Sequence, residues 1–414
     1  MRRFNLVGNN LFQFLMTSRG VKNLLSRAYS LIQRFGLGPG KMESSLTCWA
    51  KIAHKYNIRA TFPVTAIIVK RYPRVIKRLQ AQGIEFALHG FTHIDYSVLS
   101  LAEQITHFNK AIKVFNFYGI DFDGFRAPYT RWNHWTMEAI QELKIKWESS
   151  KTMLWDIFFT PLNVQSKGIK AYEKAVALYN SVDVRTHPVL PDLSYGEVQP
   201  QFVEIPLCLP DDEMLVDRLK LPLAKIKEIW EYILAQSYER GELFTLQLHP
   251  ERLPLCKSVI EQVIRKAQSY YPKVWIASLN EIAEWWNEKA QFRAEVKDLG
   301  RGSTSNSEYK IIFNCSARAT ILCKNIECPS LQAEKRFNLK WNNSYQWVKP
   351  GTNEVIVKAN IPPVIVKDTV DKTDESTPTI WFWRWPNGAR SCLSITGDVD
   401  SLTLVDFLLR IVGK

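Results

Sequence analysis

The sequence lacks an uninterrupted apolar run of the roughly 20 residues that a membrane-spanning helix needs. Its N-terminal segment also lacks the continuous apolar core of a signal peptide, because Asn9, Asn10, Gln13 and Arg19 interrupt it. From these two absences we expect a chain that is not embedded in a membrane. The predicted location is cytoplasmic, with any membrane contact peripheral.

Acidic residues are scarce relative to basic ones, with 41 Asp and Glu against 54 Lys and Arg and a net charge of +13. Such a charge suits nucleic acid, an anionic membrane surface or anionic glycans. The sequence has no recognition helix, zinc-finger spacing or aromatic-basic RNA motif, so no nucleic-acid partner is predicted. Residues 1–40 mix cations with apolar residues at roughly helical spacing. This segment is predicted either to pack on its own domain, the favoured interpretation, or to contact an anionic membrane surface.

Cysteines are few, odd in number and scattered, which argues against a disulfide framework and favours reduced thiols in a reducing compartment. Cys323 and Cys328 are close enough in sequence to pair or to bind a metal, but no second pair accompanies them. The seven are Cys48, Cys208, Cys256, Cys315, Cys323, Cys328 and Cys392.

A length of 414 residues predicts two or three domains, and the character of the sequence changes along the chain. Alternating helical and strand-like runs predict an α/β domain, and later short alternating runs predict a β-sandwich. Trp381, Trp383 and Trp385 are expected to pack in a core rather than to stack on sugars. The predicted segments are 1–40 (basic, amphipathic), 41–296 (main barrel), 297–308 (linker), 309–366 (β-sandwich), 367–378 (linker) and 379–414 (C-terminal strand and helix).

His89 and His93 directly follow the apolar run 84–88. On one helical turn, positions i and i+4 share a face, so two imidazoles could reach one cation. Alone, such a pair is more often solvated or capping. Two further strand ends carry Arg126-Ala-Pro-Tyr129 and His249. Functional groups gather at the carboxyl ends of parallel strands, so this distribution predicts a site.

A carboxylate is needed to complete a metal site of this kind, and Asp398 and Asp400 supply two candidates. Both follow the apolar strand 392–395, and alternation by two directs them to the same side. One carboxylate with two imidazoles leaves positions open for water and substrate. That composition is typical of a hydrolytic zinc-type site.

These motifs resemble those of the polysaccharide deacetylase family with the NodB homology domain, carbohydrate esterase family four. Its His-(Ser/Thr)-x-x-His motif is similar to His89-Gly-Phe-Thr-His93, with Gly90 in place of the hydroxyl residue. Its Arg-x-Pro-Tyr motif is similar to Arg126-Ala-Pro-Tyr129 and its Leu-x-Leu-His motif to Leu246-Gln-Leu-His249. Ala60-Thr-Phe-Pro-Val64 resembles its second strand.

The sequence departs from this family at its first strand. The family opens with a Thr-Phe-Asp-Asp type strand, whereas here Thr396-Gly-Asp-Val-Asp400 lies at the far end. We infer a circular permutation in which the C-terminus supplies the first strand. The alternative is that 379–414 begins a truncated second domain, whose Asp pair never joins His89 and His93. The family's fourth motif contains the acid that supports Arg126, and no segment of this sequence matches that motif clearly. The two candidate segments are 147–150 and 204–212.

The resemblance implies a role for each matched residue. Asp398 would be the general base, Arg126 would orient it, and His249 would protonate the leaving amine. The backbone N–H of Tyr129, beside Pro128, would form the oxyanion pocket. The implied metal ligands are His89, His93 and Asp400.

The resemblance also implies a fold and an activity. The expected fold is an α/β, distorted (β/α) barrel of the NodB type, with its first strand from the C-terminus and an inserted all-β sandwich. The expected function is metal-dependent removal of an N-acyl group, N-acetyl above all, from an amino sugar of a polysaccharide or glycolipid precursor. Zn²⁺ is the expected ion, with Co²⁺ or Ni²⁺ as alternatives. The alternative functions are hydrolysis of a non-sugar C–N bond and carbohydrate binding without catalysis; no pattern predicts the oligomeric state.

Overall fold

The computed structural model describes most of the chain beyond residue 30. The described residues are 31–32, 34–158, 160–195, 200–301, 306–327, 337–338, 344–348, 351–367, 373–374 and 376–411. Most of the predicted amphipathic segment 1–40 therefore lies outside the described residues, as does Cys328. None of the helices in the described part of the chain is long and apolar enough to cross a membrane.

Helices and strands alternate through most of the chain, and a strand-rich stretch follows. The α-helices are α1 (Gly40–Tyr56), α2 (Ala66–Arg71), α3 (Pro73–Ala81), α4 (Leu101–Tyr118), α5 (His134–Glu142), α6 (Ile169–Val176), α7 (Leu223–Arg240), α8 (Leu253–Ser269), α9 (Leu279–Ala290) and α10 (Leu404–Ile411). The strands are β1 (Thr61–Val64), β2 (Glu85–Leu88), β3 (Gly124–Phe125), β4 (Trp147–Glu148), β5 (Thr152–Leu154), β6 (Val182–Asp183), β7 (Asp192–Tyr195), β8 (Pro200–Glu204), β9 (Leu207–Leu209), β10 (Leu243–Gln247), β11 (Val274–Ile276), β12 (Arg293–Arg301), β13 (Ser307–Asn314), β14 (Ile321–Lys324), β15 (Phe337–Asn338), β16 (Ser344–Val348), β17 (Glu354–Ala359), β18 (Val364–Val366), β19 (Thr379–Phe382) and β20 (Ser391–Thr396).

The chain divides into two compact units, each built from separate stretches of sequence. The first holds the described residues of 1–143, 247–257 and 396–414, and the second holds those of 144–246 and 258–395. These units are defined by contacts within the structure, whereas the predicted domain boundaries are defined by changes in sequence character. The predicted boundaries therefore stay a proposal.

In the first unit, parallel strands form the sheet that carries the candidate site. Strand β1 pairs with β2 from Thr61 opposite Glu85 to Val64 opposite Leu88. On the other side of β1, Thr396 pairs with Thr61 in parallel orientation. The chain beyond Thr396 therefore runs beside β1, as the predicted first strand would. Circular permutation, as the explanation of this arrangement, stays a prediction.

Local sequence signals explain where the helices of this unit begin and end. Helix α4 starts with a capping box, in which Ser100 and Glu103 each accept a hydrogen bond from the other's backbone N–H. It ends at Gly119, whose φ of 62° is left-handed and favours glycine. The sequence predicts a helix from about Leu101 to Tyr118 that stops at Gly119, and the structure has these bounds. All four residues of β1 are buried, as expected for a parallel strand covered on both faces.

The second unit contains parallel strands and a larger antiparallel part. Strand β8 lies between β4, which is parallel to it, and β7, which is antiparallel. Strands β12, β13 and β17 form an antiparallel sheet. A further sheet has the order β15, β16, β14, β19, β18, with β18 and β19 parallel. The predicted α/β class with additional all-β structure is confirmed.

One predicted linker is partly wrong. Residues 297–301 and 307–308 of the segment 297–308 belong to β12 and β13, which pair with each other. The side chains of this segment are largely polar and occupy mostly exposed or half-buried strand positions. Because of this polarity the sequence predicts a loop, although the backbone is paired. Polarity alone therefore does not distinguish a linker from a strand here.

The tryptophan cluster and the cysteines agree with their predicted environments. Trp381, Trp383 and Trp385 are each at most 1% exposed, which confirms core packing rather than sugar stacking. Trp381 and Trp383 meet edge to face, with ring centroids 4.8 Å apart. The six described cysteines form no disulfide, and four of them are buried.

Candidate metal centre

His89 and His93 lie in the loop after β2 rather than on one helical turn. Gly90 has a φ of 79°, a left-handed conformation that does not continue a right-handed helix. The carbonyls of Gly90 and Phe91 accept hydrogen bonds of 2.9 Å from the N–H groups of Ala66 and Ile67, at the start of α2. The loop is thereby fixed to α2, and it brings the two imidazole centroids to 5.1 Å.

Asp400 lies beside both histidines. Its Oδ1 is 3.2 Å from Nε2 of His89 and 3.4 Å from Nε2 of His93. One ligand atom from each of the three residues lies within 4.8 Å of the others. This geometry contradicts the alternative in which the Asp pair never joins the histidines.

The hydrogen bonding of these atoms fits a divalent cation. Nδ1 of His89 lies 2.8 Å from the carbonyl oxygen of Arg126, which can only accept, so Nδ1 carries the hydrogen and Nε2 presents its lone pair. Nε2 of His89 and Oδ1 of Asp400 are buried, and neither forms a hydrogen bond within the described structure. Two lone-pair donors facing each other without hydrogen bonds are stabilised by a cation between them.

The ionisation states also suit metal binding. Burial, the main cause, holds the pKa of His93 well below its ordinary value, so its imidazole is neutral at pH 7. Burial opposes ionisation of Asp400, but His93, the Arg410 guanidinium and His89 together hold its pKa well below the usual range. Because His93 is itself neutral at pH 7, the cation that matters there is Arg410, which forms an ion pair with Oδ2 of Asp400. A neutral imidazole and an ionised carboxylate are the forms that bind metal.

Asp398 lies next to this group and is held by two donors. Nη1 of Arg126 is 2.9 Å from its Oδ1, and Nε2 of Gln247 is 3.0 Å from its Oδ2. The same Arg126 nitrogen donates to Oγ1 of Thr396 at 2.9 Å. Oδ2 of Asp398 lies 3.8 Å from Nε2 of His89. Asp398 therefore pairs with Arg126, as the resemblance implies, and the acid of the fourth motif stays a prediction.

The end of β10 brings His249 to the same unit. Nε2 of His249 is 3.4 Å from Nε2 of Gln247, the amide that also contacts Asp398. Gly397 allows the two chain segments to meet here, since a Cβ at that position would lie 2.1 Å from the carbonyl oxygen of Leu248. The N–H of Leu248 donates to the carbonyl of Thr396 at 2.8 Å. These contacts connect His249 to the Asp398 carboxylate through Gln247.

Tyr129 and Pro128 form a short turn, Pro128–Thr130, beside the histidines. Tyr129 has a φ of 60°, an uncommon conformation for a residue with a side chain, and such strain is concentrated at functional sites. Its ring contacts His93 edge to face, with centroids 4.2 Å apart, and the residue is 45% exposed. The turn therefore borders the candidate ligands on a side open to solvent.

His107 supports the histidine loop from α4. Its Nδ1 lies 2.8 Å from the Tyr96 hydroxyl and accepts from the N–H of Phe91 at 3.3 Å. Its Nε2 is 3.3 Å from Oγ1 of Thr92. Burial lowers the pKa of His107 to about 4. Through these contacts His107 has a structural role, which is to hold the loop that carries His89 and His93.

Sequence reasoning missed Gln247, Thr396 and Arg410. Gln247 stands two residues before His249, so alternation along β10 places both on one side and could have revealed it. Thr396 likewise precedes Asp398 by two. Arg410 has no such signal, because its contact with Asp400 depends on how α10 packs.

Residues 35–147 match the sequence profile of the family described as polysaccharide deacetylase. The matched segment covers about a quarter of the chain. His89, His93, Arg126 and Tyr129 all fall within it, whereas His249 and the two aspartates of the site lie outside. No curated protein matches the sequence.

Three solved structures are similar to this chain. A probable polysaccharide deacetylase from Pseudomonas aeruginosa PAO1 is 20% identical over 58% of this chain and 72% of its own, with a TM-score of 0.45. A putative polysaccharide deacetylase from Mycobacterium smegmatis is 20% identical over 68% and 84%, with a TM-score of 0.47. Puue allantoinase is 19% identical over 58% and 71%, with a TM-score of 0.43. Similarities at this level do not identify a substrate.

Proposed function

We propose that this chain is a metal-dependent hydrolase that removes an N-acyl group, N-acetyl above all, from an amino sugar in a polysaccharide or glycolipid precursor. The observation that carries the proposal is the cluster of three candidate ligand residues, His89, His93 and Asp400, beside a carboxylate held by two donors. A site with a metal-ligand set and a separate acid–base carboxylate has the parts that amide hydrolysis requires.

His89, His93 and Asp400 would hold the ion, since their facing atoms present lone pairs. Two imidazoles and one carboxylate suit Zn²⁺, and Co²⁺ or Ni²⁺ also accept this set. When bound, such an ion polarises a carbonyl oxygen and makes water acidic enough to act as a nucleophile at neutral pH. The remaining tasks fall to side chains and backbone groups of this chain.

Asp398 is the proposed general base. Its two oxygens are held by Arg126 and Gln247, so the carboxylate cannot rotate freely and can accept a proton at a fixed place. Its Oδ2 lies 3.8 Å from Nε2 of His89, which places proton acceptance next to the ligand atoms. A positioned general base contributes roughly 10²–10⁴-fold to such a reaction.

Tyr129 and Pro128 are proposed to form the oxyanion pocket, with the backbone N–H of Tyr129 donating to the oxygen that gains charge. The φ of 60° at Tyr129 gives that N–H an orientation that an ordinary turn residue would not have. His249 is the proposed acid for the leaving amine. The side-chain amide of Gln247 contacts both His249 and Asp398. The proposed acid and the proposed base are therefore connected through this one side chain.

The test is product analysis on purified full-length protein supplied with zinc. Acetate release from N-acetylated chitooligosaccharides is the expected result, with Asp398→Asn as the inactive control. Release of formate or ammonia from simple formamides and cyclic amides, without acetate, would instead identify a hydrolase of non-sugar C–N bonds. Tight oligosaccharide binding with no product of either kind would identify a carbohydrate-binding protein without catalysis.

A further inference from the structure

The two oxygens of Asp400 have different partners. Oδ1 faces Nε2 of His89 at 3.2 Å and Nε2 of His93 at 3.4 Å, while Oδ2 forms an ion pair with Nη1 of Arg410. Because a guanidinium occupies Oδ2, only Oδ1 is available to a cation at the histidines. The carboxylate is thus arranged as a ligand through a single oxygen.

Arg410 is itself held in place. Its guanidinium carbon lies 5.4 Å from the ring centroid of Phe407 and 6.0 Å from that of Tyr129, both within the range of a cation–π contact. Its helix, α10, is fixed through Asp406, whose buried carboxylate accepts from Nη1 of Arg71 at 2.8 Å. The guanidinium therefore does not need to be ordered when a cation binds.

We propose that Arg410 is a positioning residue that holds Asp400 in its one-oxygen arrangement and thereby raises the affinity of the site for a divalent cation. The inference rests on the proposed function, because it takes His89, His93 and Asp400 to be metal ligands. It goes further by giving the C-terminal helix α10 a part in building the centre.

Two effects of Arg410 oppose each other. Its contact with Oδ2 orients the carboxylate, whereas its positive charge repels a dication. The ion pair with Asp400 offsets most of that charge locally. Loss of a side chain that orients a metal ligand typically weakens affinity 10- to 100-fold. We therefore expect orientation to dominate.

The experiment measures the zinc dissociation constant of the purified full chain by competition with a chromophoric chelator. Arg410→Met keeps an apolar stem against Phe407 and Tyr129 but removes the donor and the charge, and it should weaken zinc binding about 10- to 100-fold. Arg410→Lys keeps a charged donor and should stay within about fivefold of wild type. Arg78→Gln, which removes a half-exposed arginine paired with Glu43, is the matched control and should change nothing.

The possible outcomes separate cleanly. Unchanged affinity in Arg410→Met would overturn the positioning role, and tighter binding would assign Arg410 to charge repulsion instead. If Arg410→Met melts well below wild type, Arg410→Gln serves as a second variant, because glutamine is uncharged and cannot form the ion pair. It must show the same loss of zinc affinity, or the inference is wrong. A wild-type protein that binds no zinc would overturn the proposed function itself, and this inference with it. Spectra of the cobalt-loaded protein provide a second readout, since a carboxylate free to bind through both oxygens should alter the visible bands.

Discussion

Nη1 of Arg126 lies 2.9 Å from Oδ1 of Asp398, across a sequence separation of 272 residues. Arg126 is 0% exposed and Asp398 is 6% exposed. A buried charge left without its partner costs several kcal/mol, so each residue stabilises the other's burial. This pair connects the middle of the chain to its C-terminal segment, and it positions the proposed base.

The first prediction concerns the stability of this pair. Arg126→Leu should lower the free energy of unfolding by about 3–5 kcal/mol, because it leaves the Asp398 carboxylate buried without its cation. Replacing both residues by leucine should recover much of that loss, since no isolated charge remains. Urea denaturation of the two single variants and the double variant gives the coupling energy. Strictly additive losses would show that the pair is not coupled.

The second prediction separates catalysis from metal binding. Asp398→Asn keeps the shape of the side chain but removes its basicity, so kcat should fall about 10²–10⁴-fold. The zinc dissociation constant should stay within a fewfold of wild type, because the proposed ligands are unchanged. Steady-state kinetics and chelator competition measure the two quantities. As a control, Asp121→Asn, at an exposed position, should leave both unchanged. Loss of zinc binding in Asp398→Asn would instead make Asp398 a ligand.

The third prediction concerns the close approach at Gly397. A methyl group there would lie 2.1 Å from the Leu248 carbonyl, so Gly397→Ala must displace one of the two segments. We expect a loss of stability of about 1–3 kcal/mol or more, together with weaker zinc binding, because Asp398 and Asp400 follow directly. Gly40→Ala, with no atom within 4 Å of the added methyl, is the matched control. Thermal melts and zinc titrations that do not differ between the two variants would contradict the close approach.

The fourth prediction concerns pH and His107. Burial lowers its pKa to about 4, below the value of about 6.5 expected in the unfolded chain. Between pH 4 and pH 6.5, His107 binds a proton in the unfolded chain but not in the folded chain. The contribution of neutral His107 to the free energy of unfolding is therefore complete above pH 6.5 and is lost as the pH falls toward 4. The loss should be of the order of 2–3 kcal/mol.

The comparison that isolates His107 uses His107→Gln. Its free energy of unfolding should fall less between pH 7 and pH 4 than that of wild type, because glutamine does not titrate. His134→Gln, at an exposed position, is the control and should keep the wild-type pH dependence. Parallel pH curves for wild type and His107→Gln would show that His107 does not titrate in this way.

The sequence predicts those parts of the fold and site that depend on local pattern. The glycine at position 119 marks the end of α4, and strand ends place His89 and Arg126. A spacing of four is also compatible with a helical turn, and it does not reveal the left-handed backbone of Gly90 that keeps the histidine pair off a helix. Short-range periodicity therefore predicts elements better than it predicts the loops between them.

Long-range packing accounts for what the sequence did not reveal. Strand alternation offered Asp398 and Asp400 as candidates, but only the resemblance implied that Asp400 is the ligand, and no pattern around Arg410 predicts its contact with Asp400. Gln247 was within reach of strand alternation, but its contact with Asp398 depends on pairing between distant segments. Contacts of this kind are fixed by tertiary structure rather than by local preference.

The most direct test of the central claim is the zinc content and zinc affinity of the full-length protein, measured by equilibrium dialysis and calorimetric titration. We predict about one zinc ion per wild-type chain, because the structure offers one ligand set of two imidazoles and one carboxylate in the first unit. Asp400→Ala should lose that ion while keeping a folded far-UV spectrum. A wild-type chain without zinc, or an Asp400→Ala variant that binds it with wild-type affinity, would contradict the assignment of His89, His93 and Asp400 as the metal ligands.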